Sequence, residues 1–242
     1  MASEIPKVYF LKAFGHHGSR EGEFGGPFGI HIAKGAIYIA DDLNHVIQIF
    51  DLDGNFLKKL GRHGTRPGEF AYLDCVITDA SGFLYVADTG NNRLQILNPS
   101  GKPHKVIRHF GWLKNFKNPR DISFNPAGRL FVTDWGNHCI RVFSKEGKFL
   151  FSFGRKGRKP GFENPITLTH SKDGKVYISD FKNHRVQVFN LEGRFLFSFG
   201  QEGSGKGDFR HPSGLALILK GGFMLLIGGI TEFKYLQQRV NF

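Results

Sequence analysis

Cysteine is scarce: Cys75 and Cys139 are the two in 242 residues, too few for a disulfide framework. No Cys-x-x-Cys or His-x-x-x-His spacing argues for zinc. No apolar run approaches the ~18 residues of a membrane span, and the longest, around Leu215–Ile230, is broken by Lys220 and several glycines. The opening Met-Ala-Ser-Glu-Ile-Pro lacks the apolar core of a signal peptide, so a cytoplasmic protein with no membrane partner is expected. No stretch has helical periodicity, and neither a Gly-x-Ser-x-Gly elbow nor paired carboxylates stand out. Acid is in deficit, with 21 Asp and Glu against 33 Lys and Arg. The resulting charge of +12 favours an anionic partner.

What the chain has is glycine (32), phenylalanine (26) and a period. Acidic residues recur at Asp41, Asp88, Asp134 and Asp180, in steps of 47, 46 and 46. Loop phenylalanines recur at Phe24, Phe70, Phe116, Phe162 and Phe209, in steps of 46, 46, 46 and 47. Each unit reads as a Gly-rich loop, strand a, a Gly turn, strand b, a polar turn, alternating strand c, a Gly hairpin and strand d. Four short strands per repeat of this length are the pattern of a propeller blade. The predicted fold is therefore an all-β propeller of four-stranded antiparallel blades in one domain, 1–242. Its units fall near 15–61, 62–108, 109–154, 155–200 and 201–242. The last unit is divergent: Leu226-Ile-Gly228 stands where the acid should be, and Arg239–Phe242 faintly echoes strand c. Lys7–Phe14 reads as a strand d without its blade, and closing the last unit with it gives five blades; six is the alternative.

The Asp-x-x-Asn-His/Asn-Arg turn, the Val-Gln-Val-Phe strand and the Phe-Gly-x-x-Gly-x-x-x-Gly-x-Phe loop resemble the NHL repeat. Asn44-His45, Asn91-Asn92, Asn137-His138 and Asn183-His184 occupy the Asn-His part of that phrase. The resemblance extends to the NHL domain of TRIM-NHL proteins. It implies a recognition module, with ubiquitin-ligase activity supplied by RING and B-box domains that two cysteines cannot build here.

Three functions compete. A non-catalytic, monomeric RNA-binding module needs no cofactor. A protein-interaction scaffold could recruit ligase substrates or other partners. A metal-dependent lyase, as in amidating-lyase propellers, would use the channel positions His31, Asp74, Cys75, Arg120, Asp121 and Thr167. The first reading rests on charge placement. Arg108, Lys114, Lys117 and Arg120 fall in one loop, and Arg155, Lys156, Arg158 and Lys159 in the next. Trp135 and Phe181 stand in polar turns expected on the same face. Lys and Arg meet phosphates while aromatic rings stack bases. The predicted single-stranded or stem-loop RNA site is Arg120, Trp135, Arg155, Lys156, Arg158, Lys159, Phe181 and Arg185, with Arg62, Arg93, Trp112, Lys114 and Lys117 as further contacts. The repeated Asp residues are expected to hold turns, their loss costing about 0.5–2 kcal/mol by analogy with a capping side chain.

Overall fold

The computed structural model describes residues 10–108, 115–158, 160–205, 207–218, 222–227 and 233–237. Blade 1 is β1 (Pro27–Ala33), β2 (Ala36–Asp41), β3 (Val46–Asp51) and β4 (Phe56–Leu60). Blade 2 is β5 (Leu73–Thr78), β6 (Leu84–Asp88), β7 (Arg93–Leu97) and β8 (Pro103–Ile107). Blade 3 is β9 (Pro119–Phe124), β10 (Leu130–Asp134), β11 (Cys139–Phe143) and β12 (Phe149–Phe153). Blade 4 is β13 (Pro165–His170), β14 (Lys175–Asp180), β15 (Arg185–Asn190) and β16 (Phe195–Phe199). Blade 5 has three described strands, β17 (Pro212–Ile218), β18 (Gly222–Ile227) and β19 (Phe233–Gln237).

Within each sheet the strands pair antiparallel in chain order, as the repeat predicted. Among the described residues helix is confined to two short 3-10 turns, Trp135–Asn137 and Phe181–Asn183. Among the described residues no helix is long and apolar enough to cross a membrane. The third described strand of the fifth unit is Phe233–Gln237, and the Arg239–Phe242 echo lies outside the described residues. Phe10–Phe14 pairs with no strand, so the predicted closure of blade 5 by the N-terminal segment is not part of the described sheets.

Each blade has two apolar faces, and neighbours stack to bury them. Ala40, Ile47 and Leu60 of blade 1 pack on Leu73, Val76 and Val86 of blade 2. Ala87, Leu94 and Ile107 meet Ile122, Leu130 and Phe143 at the next boundary. Phe131, Ile140 and Val142 meet Leu168, Val176 and Phe189 at the third. Val186 and Val188 meet Phe209 and Leu215 at the fourth. The first strands of successive blades lie side by side, β1 against β5, β5 against β9, β9 against β13 and β13 against β17.

Candidate recognition face

In blades 1 to 4 the loop entering the blade and the turn between its second and third strands share one face, because backbone bonds tie them. Asp42 donates to the Gly26 carbonyl (2.8 Å), Gly90 to Ala71 (2.7 Å), Gly136 to Lys117 (2.8 Å) and Lys182 to Glu163 (3.1 Å).

Beneath this face a buried aspartate organises every complete blade. The Asp88 carboxylate accepts from the Ala71 amide (2.9 Å), Asn91 (3.0 Å), Arg93 Nε (2.5 Å) and Gln95 (2.9 Å). Asp180 repeats the arrangement with Glu163, Asn183, Arg185 and Gln187. In blade 3 Cys139 stands at the arginine position, and Arg141, from the glutamine position, reaches Asp134 instead (2.5 Å). In blade 1 Val46 stands there, and Asp41 has no arginine. Burial pushes Asp134 and Asp180 upward in pKa, with the arginine opposing it in each.

Arg93 and Arg185 therefore do not belong to an RNA-contacting surface. Arg93 is fully buried, and besides Asp88 it donates to the carbonyls of Thr65 (2.6 Å), Arg66 (2.9 Å) and Glu69 (2.7 Å). Arg185 is buried and donates to Asp180 (2.9 Å) and the Gly161 carbonyl (2.9 Å). Both guanidiniums are consumed in holding loops, since a buried charge is tolerated only when fully paired. Arg62 is exposed but bound to Glu69 of its own loop (2.8 Å).

The last residue of each polar turn has a second role that sequence reasoning missed. His45, Asn92, His138 and His184 all adopt positive φ, between 53° and 57°. Each accepts a backbone N–H from the loop of the next blade: Tyr72 onto His45 Nδ1 (3.1 Å), Asn118 onto Asn92 Oδ1 (2.7 Å), Asn164 onto His138 Nδ1 (3.1 Å) and His211 onto His184 Nδ1 (3.2 Å). Histidine and asparagine both serve at this position because Nδ1 and Oδ1 are acceptors at the same distance from the backbone. Both also tolerate left-handed φ better than most residues. Burial lowers the pKa of His45 and His138, favouring the neutral ring the bond needs.

Above this scaffold lie the cations. Lys117, Arg155, Lys156 and Arg158 are exposed, as is Lys182, which the sequence reading passed over. Lys117, Lys156 and Lys182 come from separate segments of blades 3 and 4, yet all three positive charges help depress His138, with Glu163 opposing them. Trp112, Lys114 and Lys159 lie outside the described residues.

The predicted aromatic platforms are partly engaged. The Arg120 guanidinium sits 5.3 Å from the Trp135 ring and 5.8 Å from that of Phe28, a cation–π arrangement. Arg120 Nε is also 3.4 Å from the buried Asp74 carboxylate. Four buried polar atoms at this point, on Asp42, Asp74, Arg120 and Trp135, make no hydrogen bond with the described residues. Desolvation pushes Asp74 up to about 7, with Arg120 opposing. Phe181 is half-buried against His211, ring centroids 4.7 Å apart.

The channel residues stitch strands together. His31 Nε2 meets Thr78 Oγ1 at 3.2 Å, Cys75 Sγ points at the Ile122 carbonyl at 3.8 Å, Asp121 accepts the Leu168 amide at 2.8 Å, and Thr167 donates to the Ser213 carbonyl. Burial raises Asp121 to about 6. Among the described residues no three His, Cys, Asp or Glu side chains group as metal ligands.

Comparison with known proteins agrees with this architecture. The NHL repeat family matches residues 116–143 and 162–189, and a family described as a 6-bladed beta-propeller matches residues 19–108. The Drosophila melanogaster protein brain tumor is 30% identical over 107 residues, which is 43% of this chain and 10% of that protein. Among solved structures, the nidogen/laminin complex superposes with a TM-score of 0.68 at 15% identity, over 87% of this chain and 75% of that one. A Staphylococcus aureus virginiamycin B lyase, solved with quinupristin as an inactive H270A form, gives 0.62 at 16% identity, over 89% and 71%. Identities this low show the fold alone. Two NHL repeats therefore match within blades 3 and 4 of a β-propeller.

Proposed function

We propose that this propeller is a non-catalytic recognition module that binds single-stranded or stem-loop RNA across the top of blades 3 and 4. The observation that carries this reading is the exposure of Lys117, Lys156 and Lys182, with Arg155 and Arg158, on loops and turns of blades 3 and 4 that backbone bonds tie to one face. Cations drawn from several segments of a rigid scaffold present a fixed line of charge, which suits a phosphate backbone. Phe181 with His211, and Trp135 beneath Arg120, supply half-buried ring surface beside that line. Attached to a RING domain, such a module would give a ubiquitin ligase its target.

The test is fluorescence anisotropy with short single-stranded RNAs. Changing Lys117, Lys156 and Lys182 together to alanine should weaken binding to all sequences alike. It should also reduce the slope of log affinity against log salt by about 2, at ~0.7 per phosphate contact on a single strand. The same change at Lys34, Lys102 and Lys172, exposed in turns expected on the opposite face, should do almost nothing. Equal losses from the two sets would mean a diffuse field rather than a site. No loss from either, with affinity at the non-specific level, would place a protein partner first.

A further inference from the structure

Three loops of this chain hold an anion of their own. In the loops entering blades 1, 2 and 5 the residue before the loop phenylalanine is acidic: Glu23, Glu69 and Asp208. Each folds back on the turn it closes, and its carboxylate accepts the amide three residues earlier, that of Arg20, Arg66 or Gly205, at 3.0 Å. In the first two loops the other carboxylate oxygen takes the side chain that opens the loop, His16 (3.2 Å) or Arg62 (2.8 Å). These glutamates are seated rather than dangling, with side chains 17% and 14% exposed. The loop amide is the first cause holding both below the usual carboxylate range, as expected where backbone N–H groups meet negative charge.

The loop entering blade 4 has the same frame without the acid. It is one residue shorter, and Gly161 stands before Phe162. The Gly161 amide closes the same turn, donating to the Arg158 carbonyl (2.6 Å) as Glu69 does to Arg66 (3.0 Å). Arg155 opens the loop at the position of Arg62, but it is exposed and has no acidic partner among the described residues. The Arg158 amide, counterpart of those of Arg20, Arg66 and Gly205, makes no hydrogen bond with the described residues. A methyl group on Gly18, Gly64 or Gly203 would collide with the carboxylate of its own loop. On Gly157 it would meet nothing within 4 Å among the described residues. Nor can Gly161 refill the place, because a Cβ there would come within 2.8 Å of the Arg155 and Arg158 carbonyls.

We propose that the loop entering blade 4 is a seat for one phosphate group, held by the Arg158 amide and the Arg155 guanidinium where blade 2 has the Glu69 carboxylate. Phosphate suits the place because it offers an oxygen to each donor and carries charge to match the exposed Lys156 and Arg158 side chains. The inference rests on the proposed function only for the source of that phosphate, which is then the backbone of the RNA.

Amide NMR spectra of the full chain read the seat without RNA. Inorganic phosphate, titrated against chloride at equal ionic strength, should shift the Arg158 amide to saturation and leave the Arg66 amide in place. Replacing residues 155–161 with the sequence of residues 62–69, a loop that folds in blade 2 and brings its own glutamate, should raise the Kd for phosphate at least about tenfold. Should that swap fail to fold, Glu69→Ala gives a second reading: it opens the same seat in blade 2, so the Arg66 amide should now follow phosphate. A short single-stranded RNA should shift the Arg158 amide and displace the phosphate. The seat is overturned if the Arg158 amide ignores phosphate or follows chloride equally. It is also overturned if the swapped chain binds phosphate as tightly, or if the Arg66 amide stays indifferent in Glu69→Ala. Phosphate held at Arg158 that RNA does not displace would uphold the seat and refute the RNA reading.

Discussion

Replacing Asp88 with alanine would strip the carboxylate from the middle of blade 2 and strand Arg93, whose side chain has no solvent exposure. Breaking a buried ion pair from one side costs about 3–5 kcal/mol, because the remaining charge stays uncompensated. The three carbonyls that Arg93 keeps offset part of this. The Ala71 amide, Asn91 and Gln95 meanwhile lose an acceptor. The net expectation is about 3–4 kcal/mol, above the 0.5–2 kcal/mol that a simple turn-capping role implies. Asp41 is an internal control: equally buried, it accepts from the Gly25 and Gly26 amides and Asn44 but holds no arginine. Asp41→Ala should cost about 1–2 kcal/mol in unsatisfied donors. For a chain of this size the two correspond to falls in Tm of about 10 °C and about 4 °C. Urea titrations followed by fluorescence, alongside calorimetry, read both. If Asp88→Ala costs no more than Asp41→Ala, the buried arginine is not the charge liability described and the reasoning fails.

Blade 3 offers a swap. Arg141→Gln alone should destabilise by about 2–3 kcal/mol by leaving Asp134 without its cation, and adding Cys139→Arg, the arrangement of blade 4, should recover most of that in urea midpoints. Asp74 is raised to about 7 by desolvation, so the folded state binds its proton more tightly than the unfolded chain, and its contribution is lost as pH rises through 7. Asp74→Asn should accordingly stabilise at pH 8 and much less at pH 5, and the opposite ordering in calorimetry would refute the desolvation argument. His138 is lowered by burial, so its contribution is intact above about 6.5 and is lost as pH falls below it. His138→Asn keeps the acceptor, as Asn92 shows, and should flatten the loss of stability between pH 7 and pH 5.

The period made the blades legible because two markers, the turn aspartate and the loop phenylalanine, are both buried structural necessities. The aspartate's partner was harder to read. Arg93 and Arg185 follow a polar turn, where an arginine ordinarily reaches solvent, and their burial depends on loop carbonyls more than twenty residues earlier in the chain. An arginine recurring five residues after the same aspartate in two repeats was the signal available. The histidine staples were hidden because their partners are backbone amides of another blade, which carry no side-chain signature. The end of the chain was harder to read because no turn aspartate marks the register there: a strand runs over Phe233–Gln237, while the Arg239–Phe242 echo lies outside the described residues. Of the cations singled out from the sequence, Lys117, Arg155, Lys156 and Arg158 are exposed. Lys182 was overlooked because its repeat mates are not basic.

The salt dependence of RNA binding by the unmodified chain tests the central claim most directly. Five exposed cations, Lys117, Arg155, Lys156, Arg158 and Lys182, predict a slope of log affinity against log salt near −3.5, at ~0.7 per single-strand phosphate. Binding that is unaffected by salt, or no binding beyond that of an unrelated basic protein, would contradict it.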